Sequence, residues 1–255
     1  MSEITSKKPV EKVKDAAQQA AKVETTSRPK REYRTFLFQV SLFAAIAAFA
    51  VLTFMVKTTP LFTLDIQITH AVQSINSPIF AALMSFISWP GFSPQSFILS
   101  VLIVSLIYLF GLHWESAAAL VAGILPPLIN TLVKGLIRRP RPTMDFVQVL
   151  RILDSYSFPS GHVMFYVGFF GFIWFLIYTL LKRSLLRTLL LIFFGSLIAL
   201  IGISRIYLGQ HWASDVLGAY LLGSLTLVLI LQFYRWGKKR FSAHQPVAPE
   251  KPQPT

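Results

Sequence analysis

The chain contains no cysteine among its 255 residues. This absence excludes disulfide bonds, thiol nucleophiles and cysteine metal ligands. Charge is also scarce, because Asp, Glu, Lys and Arg make up only 14% of the residues, against about 25% in an average soluble domain. Carboxylates are the scarcest group, with 11 Asp and Glu against 24 Lys and Arg, which gives a formal net charge of +13. In a soluble protein, such a charge would suggest a nucleic-acid partner.

Long apolar runs take the place of the missing charge, since 54% of the residues are hydrophobic and 22 are Phe. A helix needs about 20 consecutive apolar residues to cross a bilayer. Six runs reach about that length, and the basic residues lie mostly just outside them, as membrane topology requires. We therefore expect no nucleic-acid partner and an all-α fold, a bundle of six transmembrane helices. The six runs are 36–56, 94–112, 116–137, 163–181, 188–206 and 214–234.

A seventh apolar stretch, residues 79–88, is too short to span a membrane. We expect it to form a short helix that lies at the interface or packs on the bundle. The membrane domain should cover residues 35–236. Residues 1–34 and 237–255 are predicted to be disordered cytoplasmic tails, the first of them basic. Loose helicity and contact with anionic lipids are the alternatives for the first tail. We expect no ordinary signal peptide there.

Basic residues at the span ends predict the orientation, because cytoplasmic loops carry an excess of Lys and Arg. With the N-terminus inside, a set of Lys and Arg residues falls close to the cytoplasmic span ends. Both termini are therefore expected in the cytoplasm of a plasma-membrane protein. The residues of that set are Arg31, Arg34, Lys182, Arg183, Arg187, Arg235, Lys238, Lys239 and Arg240.

Three polar segments then lie on the extracytoplasmic face, at one membrane depth. KGLIRRPRP, residues 134–142, follows the third span, and PSGH, residues 159–162, opens the fourth. SRIYLGQHWASD, residues 204–215, joins the fifth span to the sixth. A compact six-helix bundle can bring the three segments within reach of one another.

Cations in the first segment indicate an anion partner. Lys134 lies within the apolar end of its span, where a charge is costly unless it meets an opposite charge. Arg141 lies on the exit loop, because Pro140 stops the helix. We expect Lys134 and Arg141 to bind an anion, and Arg138 and Arg139 to extend along apolar surface to the interface.

The second segment suits phosphate, since a helix N-terminus presents unpaired N–H groups and a partial positive charge. Ser160 can cap the helix or bind the anion, and Gly161 allows close backbone approach. Taken alone, Ser160 is more simply a plain N-cap. His162 has a similar alternative, an interfacial imidazole that binds nothing.

The third segment adds a histidine and a carboxylate. His211 and Asp215 are four residues apart at a helix start, so they share one face. A carboxylate beside an imidazole fixes its tautomer and supports its positive charge, and a purely structural pair is the alternative. Together with Arg205 and His162, the pair completes a candidate anion site that contains an acid and a nucleophile.

The three segments resemble the motif of the type-2 phosphatidic acid phosphatases, integral-membrane lipid phosphate phosphatases related to vanadium haloperoxidases and bacterial non-specific acid phosphatases. That motif is Lys, six residues, Arg-Pro; then Pro-Ser-Gly-His; then Ser-Arg, five residues, His, three residues, Asp. Every position of it is matched, and the resemblance covers about residues 36–234. The matching residues are Lys134, Arg141, Pro142, Pro159, Ser160, Gly161, His162, Ser204, Arg205, His211 and Asp215.

The resemblance implies a role for each site residue. His211 is implied to be the nucleophile that forms a phosphohistidine, Asp215 to orient it, and His162 to protonate the leaving group. No metal and no cofactor are implied. The residues implied to bind the phosphoryl oxygens and the developing charge are Lys134, Arg141, Ser160, Gly161 and Arg205.

The implied substrate is a membrane lipid phosphate or a polyprenyl pyrophosphate, in the class of phosphatidate, lysophosphatidate, phosphatidylglycerophosphate or undecaprenyl pyrophosphate. A phosphohistidine does not dictate its acceptor, so phosphotransfer to a group other than water is an alternative. An anion or lipid transporter is the non-enzymatic alternative, although transport would not need the His211–Asp215 pair beside a second histidine. The lipid and the oligomeric state stay open.

Overall fold

The apolar runs fold as helices, because a helix satisfies its backbone N–H and C=O groups within one segment and lipid offers no hydrogen bonds. A computed structural model describes the backbone of residues 9–242 and the side chains of residues 32–240, and this part contains no β-strand. A 3₁₀ turn, Trp89–Gly91, extends the helix Pro78–Ser88, and a π-helical turn, Tyr166–Phe170, joins the helices Gly161–Phe165 and Gly171–Leu180. The helices are α1 Pro9–Thr58, α2 Thr63–Gln73, α3 Pro78–Ser88, α4 Ser93–Leu109, α5 His113–Ile137, α6 Gly161–Phe165, α7 Gly171–Leu180, α8 Leu185–Tyr207 and α9 Ala213–Ser242.

Two compact units divide the chain, residues 1–45 and residues 46–255. The described part of the first unit, residues 9–45, is entirely helical. The second unit contains the other helices and every residue of the predicted site.

Five helical segments are long and apolar enough to cross a membrane. This confirms the predicted all-α membrane bundle. The fourth predicted span is one continuous segment made of α6, the π-helical turn and α7. The five segments are Glu32–Thr58, His113–Ile137, Gly161–Leu180, Leu185–Tyr207 and Ala213–Arg240.

The second predicted span, residues 94–112, is the 17-residue helix α4. At about 1.5 Å per residue it is roughly 26 Å long, slightly less than the hydrocarbon core of about 30 Å. Helices α2 and α3 meet at an angle of 119° and are apolar enough as a pair to count as one broken span.

Helix α2 was not expected from the sequence. Its polar residues Asp65, Thr69 and Gln73 recur every four positions, so they share one face. Asp65 and Thr69 on that face are buried. The pattern is therefore the reverse of an ordinary amphipathic helix, and apolar periodicity does not reveal it.

Helix α3 packs on the bundle, as one of the two predicted alternatives had it. Met84, Ile87 and Ser88 are its buried residues. The Ser204 hydroxyl of α8 donates to the carbonyl of Met84 at 2.6 Å. Helix α3 is thereby fixed against the end of α8 that carries part of the predicted site.

The predicted tails fall partly outside the described residues, namely residues 1–8 and 243–255. Within the described part, α1 begins at Pro9 and α9 ends at Ser242, so helix extends into both predicted tails, of which the first had loose helicity as its alternative. Residues 9–34 are rich in Ala, Gln, Glu and Lys, which favour helix.

The fourth span forms the centre of the core, and its π-helical turn is aromatic. Phe165 and Phe169 stack with ring centroids 5.3 Å apart. A Cβ at Gly168 would lie 2.3 Å from a ring carbon of Pro126 in α5. Glycine is therefore required where the π-helical turn meets α5.

A buried carboxylate joins two helices at the opposite end of the bundle from the predicted site. Glu115, near the start of α5, pairs with Lys238 near the end of α9. Its carboxylate also accepts from the Tyr234 hydroxyl at 3.0 Å. The start of α5 and the end of α9 therefore lie at the same end of the bundle.

Gly209 shapes the turn between α8 and α9. Its φ is +64°, in the left-handed region that disfavours side chains. A Cβ there would lie 1.9 Å from the carbonyl oxygen of Gln148. The amide of Leu150 donates to the carbonyl of Leu208 at 3.2 Å, so the segment before PSGH rests directly on this turn.

Replacing Gly209 by Ala should destabilise the protein more than replacing Gly111. Gly111 has a similar φ of +77° but nothing within 4 Å of an added Cβ. Gly111→Ala therefore measures the conformational penalty alone, about 1 kcal/mol, and Gly209→Ala adds a backbone clash. Thermal unfolding of the two variants in detergent tests this. Equal melting temperatures would contradict the close contact with Gln148.

Candidate active site

The three polar segments meet at one end of the bundle. His162 has Arg205, His211, Arg141 and Lys134 as its electrostatic neighbours. These five residues come from all three segments, and 77 positions separate the first, Lys134, from the last, His211. The structure therefore brings the predicted site residues together.

His211 lies between Arg141 and Asp215 and is 1% exposed. Its Nε2 is 3.2 Å from Nη1 of Arg141, and its Nδ1 is 3.5 Å from Oδ2 of Asp215. Because a guanidinium can only donate, Nε2 acts as the acceptor and the proton of the neutral ring belongs on Nδ1. The lone pair of the predicted nucleophile therefore faces the cations.

The Asp215 carboxylate is fully buried and accepts hydrogen bonds from three donors. Arg139 Nη1 donates to Oδ1 at 2.6 Å. The backbone amide of Trp212 donates to Oδ2 at 2.9 Å, and the Ser157 hydroxyl donates to the same oxygen. These bonds hold the carboxylate in place beside His211.

Arg139 is the largest correction to the sequence-based prediction. We expected it to extend along apolar surface to the interface, but its side chain is 0% exposed and bridges Asp215 to Asp65. Its Nη2 donates to Asp65 Oδ2 at 2.7 Å, and its Nε donates to the carbonyl of Pro60 at 2.8 Å. Two buried carboxylates compensate the burial of this charge.

Asp65 completes the network from α2. Its Oδ1 accepts from the Ser214 amide at 2.8 Å and its Oδ2 from the Ser214 hydroxyl at 2.6 Å. Sequence reasoning missed Asp65 and Arg139 as site residues. The one available signal in the sequence was the polar face of α2, on which polar residues recur at every fourth position.

Arg141 lies on the exit loop after α5, as predicted. It donates to the Ser155 carbonyl at 2.6 Å and to the Gln210 carbonyl at 2.5 Å. Lys134 donates to the carbonyl of Tyr156. Both cations are thus positioned by backbone oxygens.

Ser160 is the last residue before the helix that Gly161 begins, but its side chain makes no capping hydrogen bond. The plain N-cap alternative is therefore wrong. Its amide donates to the carbonyl of Asp215 at 3.2 Å. A Cβ at Gly161 would lie 3.1 Å from the Asn130 side-chain oxygen, so a larger residue here would press against Asn130.

His162 packs against Phe92, with ring centroids 4.8 Å apart and the rings nearly perpendicular. A Cβ at Gly91 would lie 2.4 Å from the imidazole, so the turn after α3 fits closely around His162. Arg205 is 0% exposed and donates to the Ser88 hydroxyl. Helix α3 and its 3₁₀ turn therefore support both residues.

The site is strongly cationic. In the described part of the chain, Lys134, Arg141 and Arg205, here called the cationic cluster, form no salt bridge. Several buried polar atoms in the same place have no hydrogen-bond partner there, including Ser160 Oγ, His162 Nε2, and Nε and Nη2 of Arg205. Buried polar atoms are normally paired, so this arrangement suits an anion with several acceptor oxygens.

Two site groups outside the spans have shifted pKa values. Burial, followed by the charges of Arg141, Lys134 and Arg205, holds the pKa of His211 well below 6.5. Burial also lowers the pKa of Arg141, although Asp215 acts in the opposite direction. His211 is therefore neutral at physiological pH.

The described residues contain no group of three or more His, Asp or Glu side chains placed to hold a metal ion.

The sequence matches a known family. The model of the PAP2 superfamily matches residues 115–239, a range that contains every predicted site residue. Phosphatidylglycerophosphatase B from Bacillus subtilis (strain 168) is 32% identical over 186 residues, which cover 72% of this chain and 90% of that protein.

Two solved structures have a similar fold. The transmembrane PAP2 type phosphatidylglycerolphosphate phosphatase from Bacillus subtilis has a TM-score of 0.67 and 29% identity, covering 76% of this chain and 96% of that one. Aquifex aeolicus LpxE has a TM-score of 0.53 and 19% identity, covering 68% of this chain and 98% of its own. At that identity, the second likeness concerns the fold alone.

Arg139→Gln should destabilise the protein strongly, because it leaves Asp65 and Asp215 buried without a countercharge. Breaking a buried ion pair costs about 3–5 kcal/mol. The matched control is Arg138→Gln, since Arg138 is exposed and, among the residues that the structure describes, its side chain bonds only the carbonyl of Gly135. Thermal unfolding in detergent compares the two. Similar stability of both variants would rule out the buried network.

The His211 imidazole should titrate well below pH 6.5 in the substrate-free protein. A lowered pKa keeps the ring neutral into mildly acidic solution, so the predicted nucleophile stays available there. NMR of ¹³C-histidine-labelled protein in phosphate-free buffer measures the midpoint, and His211→Gln identifies the signal by removing it. The same signal in unfolded protein should titrate near the ordinary value of about 6.5. A folded midpoint at or above that value would contradict the described burial.

Proposed function

We propose that this chain, which belongs to the PAP2 superfamily, hydrolyses a phosphate group from a membrane lipid through a phosphohistidine on His211. The family assignment supports a multi-pass membrane enzyme that acts on lipid phosphates. The residue roles, the intermediate and the exact lipid are our inference from the geometry.

One observation carries the proposal. The unprotonated Nε2 of His211 faces the cationic cluster, with Arg141 at 3.2 Å. A phosphoryl group bound by those cations would place its phosphorus next to the nitrogen lone pair. A nucleophile beside preorganised positive charge is the arrangement that phosphoryl transfer requires.

In the first step, His211 Nε2 attacks phosphorus and the bond from phosphorus to the lipid oxygen breaks. The imidazole gains positive charge as the N–P bond forms, and Asp215 beside Nδ1 stabilises that charge. His162 donates a proton to the departing lipid oxygen. The cationic cluster, with Ser160 and the Gly161 amide, binds the phosphoryl oxygens.

In the second step, water attacks the phosphohistidine. His162, now neutral, accepts a proton from the water, and the N–P bond breaks to release inorganic phosphate. His211 returns to its neutral form with its proton on Nδ1. Both residues are restored, so the cycle needs no further reactant.

The relatives favour a particular lipid class. The B. subtilis relative is a phosphatidylglycerophosphatase by name, so we propose a lipid phosphate of that kind as substrate. The site lies at the end of the bundle opposite Glu115 and Lys238, and the positive-inside rule places it on the extracytoplasmic face with both termini in the cytoplasm. A lipid head group can enter there while its tails stay in the bilayer.

The two histidines should respond differently to the leaving group. A lipid alkoxide is a poor leaving group that needs a proton, whereas p-nitrophenolate leaves readily without one. General acid catalysis is typically worth about 10²–10⁴-fold, so His162→Ala should lose that factor on a lipid phosphate and far less on p-nitrophenyl phosphate. His211→Ala should lose both activities. Phosphate release by purified protein in EDTA measures these rates.

A trapping experiment checks the intermediate. Acid-labile, base-stable radiolabel from a ³²P substrate should appear on the wild type and be absent from His211→Ala. Label retained by His211→Ala would exclude His211 as the nucleophile. If His162→Ala lost activity on both substrates in the same proportion, His162 would not be the general acid.

A further inference from the structure

A fourth cation lies beside the candidate active site and has no part in the mechanism above. The guanidinium carbon of Arg151 is 4.8 Å from the ring centroid of Phe92. The guanidinium carbon of Arg205 is 5.6 Å from the same centroid, and the His162 ring meets Phe92 at 4.8 Å. One aromatic ring therefore contacts Arg151 and two residues of the proposed reaction centre.

Arg151 is exposed on the segment that leads to PSGH. It forms no salt bridge with the described residues, and Phe92 is its one described side-chain contact. Stacking on a ring restricts an arginine and leaves its N–H donors available for a bidentate acceptor. Arg151 is therefore oriented but not neutralised.

This placement brings like charges together. Arg151 lies within electrostatic range of Arg205, and the cationic cluster has no carboxylate partner in the described part of the chain. A fourth cation there adds to the positive potential at the edge of the site, which favours an anion. In the mechanism proposed above, one phosphate group engages the cationic cluster, so Arg151 is available for a second anionic group.

We propose, on the basis of the phosphatase function above, that Arg151, held by Phe92, binds a second phosphate group of the same substrate. The substrate class is then a lipid that carries two phosphates, one cleaved at His211 and one retained at Arg151. The retained group is either the inner phosphate of a diphosphate or a phosphodiester separated from the scissile phosphate by a short polyol. A lipid with one phosphate leaves Arg151 without a ligand.

Arg151→Gln tests the proposal on three substrates: phosphatidate, phosphatidylglycerophosphate and a polyprenyl diphosphate. We expect kcat/KM to fall about 10-fold, mainly through KM, on at least one substrate with two phosphates, because a charge-assisted hydrogen bond is lost. Activity on phosphatidate should stay within about twofold. Loss on the diphosphate alone identifies an adjacent inner phosphate, and loss on phosphatidylglycerophosphate alone identifies a separated phosphodiester.

The matched control is Arg138→Gln, which removes one exposed positive charge from the same end of the bundle without touching Phe92. It should leave the ratio of activities on the three substrates unchanged. A loss in Arg151→Gln that is equal on all three substrates, or absent from all, overturns the second phosphate site. Failure of the wild type to release phosphate from any lipid would instead overturn the proposed phosphatase function.

Discussion

The burial of the Asp215 charge is the constraint on which the site end of the bundle depends. A carboxylate without access to water is unstable unless it is paired and hydrogen-bonded. Arg139 pairs with it through Nη1 and with Asp65 through Nη2. Helix α2, the segment after α5 and the start of α9 are thereby held together by charge-assisted bonds. Only with Asp215 compensated in this way can His211 stay neutral beside it and keep its lone pair directed at the cationic cluster.

The sequence predicted those features that function or membrane insertion encodes in consecutive residues. Bilayer thickness sets a minimum length, so the spans predicted at 116–137 and 188–206 correspond to α5 at His113–Ile137 and α8 at Leu185–Tyr207. The three motif segments each lie within a few consecutive residues, and the alternation of spans places them on one face. Fold class and the grouping of the site residues therefore followed from local patterns and topology together.

The parts that were missed depend on partners distant in sequence. A basic residue near a span end has the same local sequence pattern whether it extends to water or is buried between carboxylates. The position of the Arg139 side chain depends on Asp65, which is 74 positions away in the sequence. Helix α2 buries its polar face, so its pattern of polar and apolar residues is the reverse of that of an ordinary surface helix. Phe92 lies in a short turn between α3 and α4, where nothing local marks its contacts with His162 and Arg151.

The order in which the charged network appears during synthesis has a consequence for how the protein is made. Asp65 and Ser214 are 149 residues apart, and they bond each other through both the amide and the hydroxyl of Ser214. At translation rates of about 5–20 residues per second, roughly 7–30 s pass between their emergence from the ribosome. Throughout that interval the nascent chain contains Asp65, and later Arg139, but not α9, which supplies Ser214 and Asp215. Biogenesis of the reaction centre is therefore a late event, which follows release of α9 into the bilayer, and a chain arrested before that point lacks the carboxylate that orients His211.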